Sequence, residues 1–292
     1  LEVEVTALDR NGPSLRLGYN TNGLSGHRWE QALELMHAAG YRSVALTVDH
    51  HCLDPFSDAF PQELDRMQNC LARLGMTSVV ETGARFLLDP RRKHEPTLVS
   101  PEKAQRGVRV DFLKRCIQIA RALNSDTVSF WSGTLADESP RDVGFRRLVE
   151  SLAPVIDYAG QHKVRLAFEP EPGMVIQTFD DFQELLSFVD APGFGLCVDI
   201  GHVHCLEPEP VSKYLEEWQD RIFTIHIEDM IQGVHEHLRF GAGTIEFRPI
   251  LKTLQRMKYQ GSLNVELSRH SHIAPQVLVE SYQFLSRLMA DE

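Results

Sequence analysis

The sequence predicts an α/β protein built as a single (β/α)8 TIM barrel, and three observations carry that expectation. Eight short apolar, β-branched runs alternate with amphipathic helical stretches along the whole chain. Over 292 residues this gives about 36 residues per unit, the arithmetic of eight strand-helix repeats. The first strand is followed by YNTNGLSG, which lacks the GxGxxG turn that an open doubly wound sheet would want. No Pro/Gly/Ser linker divides the chain. Residues 1–292 therefore read as one domain, with 1–14 a short N-terminal arm.

The strands fall at about 15–20 (LRLGYN), 43–49 (SVALTVD), 77–82 (TSVVET), 126–131 (DTVSFW), 164–169 (VRLAFE), 194–200 (FGLCVDI), 222–228 (IFTIHIE) and 262–267 (SLNVEL). Their near-continuous apolar cores suit parallel strands covered by helices. The helices fall at about 28–39, 60–74, 107–123, 140–161, 178–189, 209–220, 246–258 and 275–290. Thr178 followed by Asp180 and Asp181 reads as a capped helix start with acidic residues in its first turn. Ser139 before Pro140 reads as a cap residue ahead of a first-turn proline. Gly40, Gly75 and Gly261 stand where helices should end. Two connections are long, 84–106 and 229–245. Both fall on the strand C-terminal face, where a barrel builds its site.

Composition excludes several function classes. Thirty Lys+Arg against 41 Asp+Glu leave a net charge of −11. An acidic surface is a poor partner for duplex DNA, so no nucleic-acid partner is expected. No apolar run reaches the ~18 residues of a membrane helix, and no membrane partner is expected. The start, LEVEVTALDRNGPS, is too polar for a signal peptide. Cys52, Cys70, Cys116, Cys197 and Cys205 are odd in number and form no CxxC pair. That argues against a disulfide framework and for a reduced, cytoplasmic setting. Thirteen histidines are many, and seven of them lie in the last third of the chain.

A barrel places its reactive groups at strand C-terminal ends. Strand five ends in Glu169, strand six in Asp199 with His202 just after, strand seven carries His226, and strand eight carries Glu266. One such carboxylate alone is ordinarily a rim residue. Four ionisable groups at equivalent heights, within FEPEPG, CVDIGH, TIHIED and NVELSRH, point to one site. Three oxygen donors and one nitrogen suit Mn²⁺, Co²⁺, Mg²⁺ or Zn²⁺, with positions left for water or substrate.

These motifs resemble the xylose-isomerase-like barrel superfamily of sugar and sugar-phosphate isomerases, epimerases, dehydratases and apurinic endonucleases. The resemblance covers nearly the whole chain and is strongest over 164–272. It implies that Glu169, Asp199, His226 and Glu266 hold one divalent metal. It also implies that Glu169 and Glu266 serve as proton-transfer bases, and that His202 of D-x-x-H contacts substrate oxygens. In E-P-E-P the ligand could be Glu169 or Glu171; Glu169 matches the family position, and Glu171 then lines the site. The segment GVHEHLRFGAGTIEF resembles the family's loop ending in G-x-G. His235 and His237 match the positions that, with the D-x-x-H histidine, bind a further metal in the endonuclease branch. A curved loop could converge both on one ion beside His202; the alternative is that they bind substrate hydroxyls or cap the barrel. Strands three and four end in ETGARF and SFWSGT, without the histidines of that branch. The missing third zinc site and the net charge both speak against DNA repair.

The substrate side is read from the rim. Arg85 and the run Arg91–Arg92–Lys93–His94 form the densest basic cluster, either a solvated loop or a seat for phosphate or carboxylate. Trp131 could stack on a sugar face or fill the mouth. Asn20, Asn22, Asp49, His50 and His51 are candidate hydroxyl partners. Arg269, His270 and His272 follow strand eight, where relatives touch substrate or a neighbouring subunit, and a homo-oligomer is expected. The expected activity is a divalent-metal-dependent isomerase or epimerase. It would act on a sugar, polyol or sugar phosphate by proton abstraction beside a carbonyl, through a metal-stabilised enediolate. The alternatives are a one- or two-metal phosphoester hydrolase or lyase, and a barrel that binds without turnover.

Overall fold

A computed structural model describes residues 15–290. The anticipated N-terminal arm, 1–14, lies outside the described residues. In chain order the elements are β1 (Arg16–Asn20), α1 (Trp29–Ala39), β2 (Ser43–Thr47), α2 (Phe60–Leu74), β3 (Thr77–Glu81), α3 (Lys103–Leu123), β4 (Val128–Phe130), α4 (Arg141–His162), β5 (Leu166–Phe168) and α5 (Phe179–Val189). There follow β6 (Phe194–Asp199), α6 (Ile200–Leu206), α7 (Val211–Glu217), β7 (Ile222–Ile227), β8 (Asp229–Ile231), β9 (Val234–Leu238), α8 (Phe247–Arg256), β10 (Ser262–Val265) and α9 (Ala274–Ala290).

Eight strands close a parallel barrel in the order β1-β10-β7-β6-β5-β4-β3-β2. All eight expected runs supply a strand. Most strand residues are buried, because one face fills the bore and the other packs under helices. Phe130, Phe168, Phe182 and Phe194 form one aromatic cluster that ties β4, β5 and β6 to α5. The polar side chains of Thr224, Ser262 and Asn264 bond to one another inside the fold. The five cysteines are free and buried. Among the described residues no helix is long and apolar enough to cross a membrane.

The caps explain where helices start and stop. Thr178 accepts from the Asp181 amide at 3.2 Å and Asp181 accepts from the Thr178 amide at 3.2 Å, a reciprocal capping box. Gly40 ends α1 and Gly75 ends α2 in left-handed backbone, at φ 113° and 61°, which a glycine adopts without a side-chain penalty. Two expected caps differ. Ser139 bonds Asp137 instead of a helix amide, and Pro140 occupies the N-cap position of α4. Helix α8 ends at Arg256, and Lys258 rather than Gly261 takes the left-handed turn. The connection 229–245 is also not a plain loop. It folds as the antiparallel hairpin β8–β9 over the barrel mouth.

Candidate active site

The four expected donors meet at the strand C-terminal ends. Glu169 follows β5, and its amide donates to the Phe130 carbonyl at 2.9 Å. Asp199 closes β6 and pairs in register with His226 on β7. Glu266 follows β10, and its amide donates to the Ile227 carbonyl at 3.2 Å. Backbone ladder bonds therefore fix the height of each side chain. Donor atoms from Glu169, Asp199, His226 and Glu266 lie within 4.8 Å of one another. His226 Nδ1 stands 3.0 Å from both Glu169 Oε1 and Glu266 Oε2. Asn22 donates to the other Glu266 oxygen at 2.9 Å. Asp199 Oδ1 caps α6 by accepting from the His202 amide at 2.8 Å, while Asp199 Oδ2 is buried without a hydrogen-bond partner.

This cluster has the electrostatics of a cation site. Burial pushes Glu169 up to about 8, against the pull of His226. Burial also opposes charge on Asp199 and Glu266. The imidazoles of His202, His237 and His226 outweigh it at Asp199, and His226 leads the same effect at Glu266, so both carboxyls stay below their usual range. Burial disfavours charge on His226 too, yet Cys197, Glu81, Glu169 and Glu266 drive its pKa well above the ordinary value. A buried group of carboxylates is stabilised by protons or by positive charge among them, and Asp199 Oδ2 has no hydrogen-bond partner to serve instead. One imidazole and three carboxylates supply suitable donors for a divalent ion. The donor group contains Glu169. Glu171 lines the cavity above it.

A second group stands beside the first. His202 Nε2 lies 3.0 Å from His235 Nε2, and the donor atoms of His202, His235 and His237 fall within 4.8 Å of one another. No curved loop is needed. His235 and His237 lie two apart on β9, so they share one face of the strand. Asp229 holds the hairpin by accepting from the amides of Met230, Gly241 and Ile245 at 2.8–3.2 Å. His202 Nδ1 bonds the Pro170 carbonyl at 3.2 Å, which leaves Nε2 to face His235. Burial lowers His202 to about 4, and burial lowers His235 as well.

The mouth above these groups is a cavity of about 260 Å³. Of the residues proposed to bind substrate, Asn22, Arg85, Lys93, His94, Trp131, Glu171 and Arg269 line it. His50 does not. Its ring is 54% exposed and stands 3.4 Å from Asp54, because the turn after β2 carries it outward. Arg92 also turns out, to Asp89 at 2.8 Å. Arg269 pairs with Glu236 at 2.7 Å on the rim. The basic loop is pinned from below by Arg109, which is buried on α3. Its guanidinium donates to the carbonyls of Thr82 at 3.0 Å, Pro96 at 2.8 Å and His94, and lies 5.0 Å from the Trp131 ring. Burial pushes Arg109 down to about 10. The loop is thus an ordered wall, with His94 Nδ1 donating to the Gly83 carbonyl at 2.6 Å.

The model of the xylose isomerase-like TIM barrel family matches residues 33–288. The chain belongs to that family. The L-ribulose-5-phosphate 3-epimerase UlaE of Salmonella paratyphi A is 24% identical over 247 residues, covering 83% of each chain. The D-allulose 3-epimerase of Methylomonas sp., solved with D-allulose, superposes with a TM-score of 0.72 at 16% identity, over 94% of this chain and 97% of its own. The zinc-binding IOLI protein superposes at 0.74 and 16% identity, over 94% and 98%. At that identity the solved structures establish the fold alone. Family and fold together support metal-assisted isomerase or epimerase chemistry on sugars or sugar phosphates.

The family motifs do not reveal Glu81. It closes β3, is buried, and places Oε1 3.0 Å from His226 Nε2. Its strand-end position was the available signal, since ETGARF puts a carboxylate at the height where the site forms.

Proposed function

We propose that the protein is a divalent-metal-dependent epimerase or isomerase acting on a ketose, with phosphorylated ketoses preferred. The observation that carries this is the placing of two glutamates, Glu169 and Glu266, each 3.0 Å from the same His226 nitrogen. Two carboxylates around one position suit proton removal at a carbon and its return from another direction. Glu169, Asp199, His226 and Glu266 would hold the ion. When bound, such an ion supplies Lewis-acid stabilisation of charge developing on substrate oxygens. Glu266, steadied by Asn22, and Glu169, tied by its amide to β4, move the proton between base and carbon. Return at the same carbon from the opposite face epimerises; return at the adjacent carbon isomerises. His202 and Glu171 meet substrate hydroxyls. Arg85 and Lys93 face the cavity as cations, and a phosphate at the far end of the substrate fits them. The relative named for L-ribulose 5-phosphate agrees with that choice.

The cluster of His202, His235 and His237 favours a second reading, a two-metal phosphoester hydrolase or lyase. One assay separates the two. Protein saturated with Mn²⁺ or Co²⁺ is given pentulose 5-phosphates, and sugar products and inorganic phosphate are both measured. A new epimer or isomer without phosphate release is expected. Phosphate release without a new sugar would overturn the first reading in favour of the second.

A further inference from the structure

We propose that Glu81 is a positioning residue, fixing the ring orientation and donor strength of His226 from across the barrel. The inference rests on the metal reading above. In the strand order of the barrel, β3 and β7 are opposite, so Glu81 and His226 face each other over the bore. The His226 ring is bracketed. Nδ1 faces Glu169 and Glu266, and Nε2 faces Glu81 Oε1 at 3.0 Å.

A neutral imidazole has one N–H and one lone pair. An ion among the four donors needs the lone pair at Nδ1, so the proton must sit on Nε2. There it requires an acceptor, because both side chains are buried. The other close group is Cys197 Sγ, 3.7 Å from each ring nitrogen. Sulfur is a weak acceptor and stands farther from the ring than Glu81 Oε1 at 3.0 Å. Glu81 is therefore the partner that selects the Nε2–H form. Its negative charge also makes Nδ1 a stronger donor. Carboxylates behind metal-binding histidines act in this way in general, and their loss typically costs about 10–100-fold in metal affinity.

The test is metal affinity, measured by chelator competition with Co²⁺ or Zn²⁺ on the stripped full chain. It is read beside the imidazole ¹H–¹⁵N correlations of the Zn²⁺-loaded protein. Glu81→Gln should bind metal about 10–100-fold more weakly. It should keep the His226 Nε2–H signal, because the amide oxygen still accepts. Glu81→Leu should lose at least as much affinity and also lose the slowly exchanging Nε2–H. The inference is overturned if Glu81→Gln binds within twofold of wild type, or if His226 in wild type coordinates through Nε2. Glu81→Gln is close to isosteric and decides the matter if Glu81→Leu does not fold. Wild-type protein that binds neither ion would instead remove the metal reading itself.

Discussion

Strands β5, β6, β7 and β10 end in the four clustered donors, whereas β3 and β4 lead into the segments that wall the cavity. The donor half is held by strand register. Each of Glu169 and Glu266 has its amide in a ladder bond, and Asp199 pairs with His226. The wall half is held by side chains, with Arg109 reaching three loop carbonyls beneath Arg85, Lys93 and His94. The charges differ too: the donor half carries Glu169, Asp199 and Glu266, and the wall half brings Arg85 and Lys93 to the cavity beside Glu81. The difference suggests a division of labour. The rigid half serves the reaction, which tolerates little displacement, and the loop half serves the choice of substrate.

Substitutions in the two halves should then have different signatures. Glu266→Gln should have the largest effect, lowering kcat about 10²–10⁴-fold for phosphorylated and free ketoses alike. A loss confined to phosphorylated substrates would break the comparison. Arg109→Met should act on the wall. It leaves three carbonyls without their donor and should cost about 2–4 kcal/mol, seen as a fall of about 5–10 °C in Tm. Metal affinity should hold in the folded variant, and KM for a ketose phosphate should rise. Lys93→Ala should be milder, raising KM about 3–10-fold for phosphorylated substrate and leaving the free sugar unchanged. Arg92→Ala, one residue away, should leave both KM values within about twofold, because Arg92 is exposed and directs its charge to Asp89, away from the cavity. Equal effects at Arg92 and Lys93 would mean that the loop acts through net charge alone.

The same division decides what could be read from sequence. Strand cores such as SVALT and FGLCVD are apolar without a break, and burial on both faces demands that, so the barrel was legible. Strand-end carboxylates were legible because register fixes their height. The hairpin β8–β9 was not, since Asp229 and Met230 are buried in succession and β9 is exposed or half-buried throughout, with no alternation for a pattern to follow. Helix α6 has only seven residues, and Asp199 serves both as its cap and as a donor, so the D-x-x-H turn hid a helix start. Arg109 reads as one more charge on a polar helix. Its partners are backbone carbonyls of a distant loop, which no local pattern announces. Glu81 meets a histidine 145 positions away, and only the closed barrel brings them together.

The central claim is proton transfer at a substrate carbon between Glu169 and Glu266. Its most direct test is turnover in D₂O, with substrate and product analysed by NMR and mass spectrometry. Metal-loaded wild type should place deuterium on the carbon beside the carbonyl, and Glu266→Gln should slow that exchange along with turnover. Product formed at the wild-type rate with no deuterium in it or in recovered substrate would contradict the account.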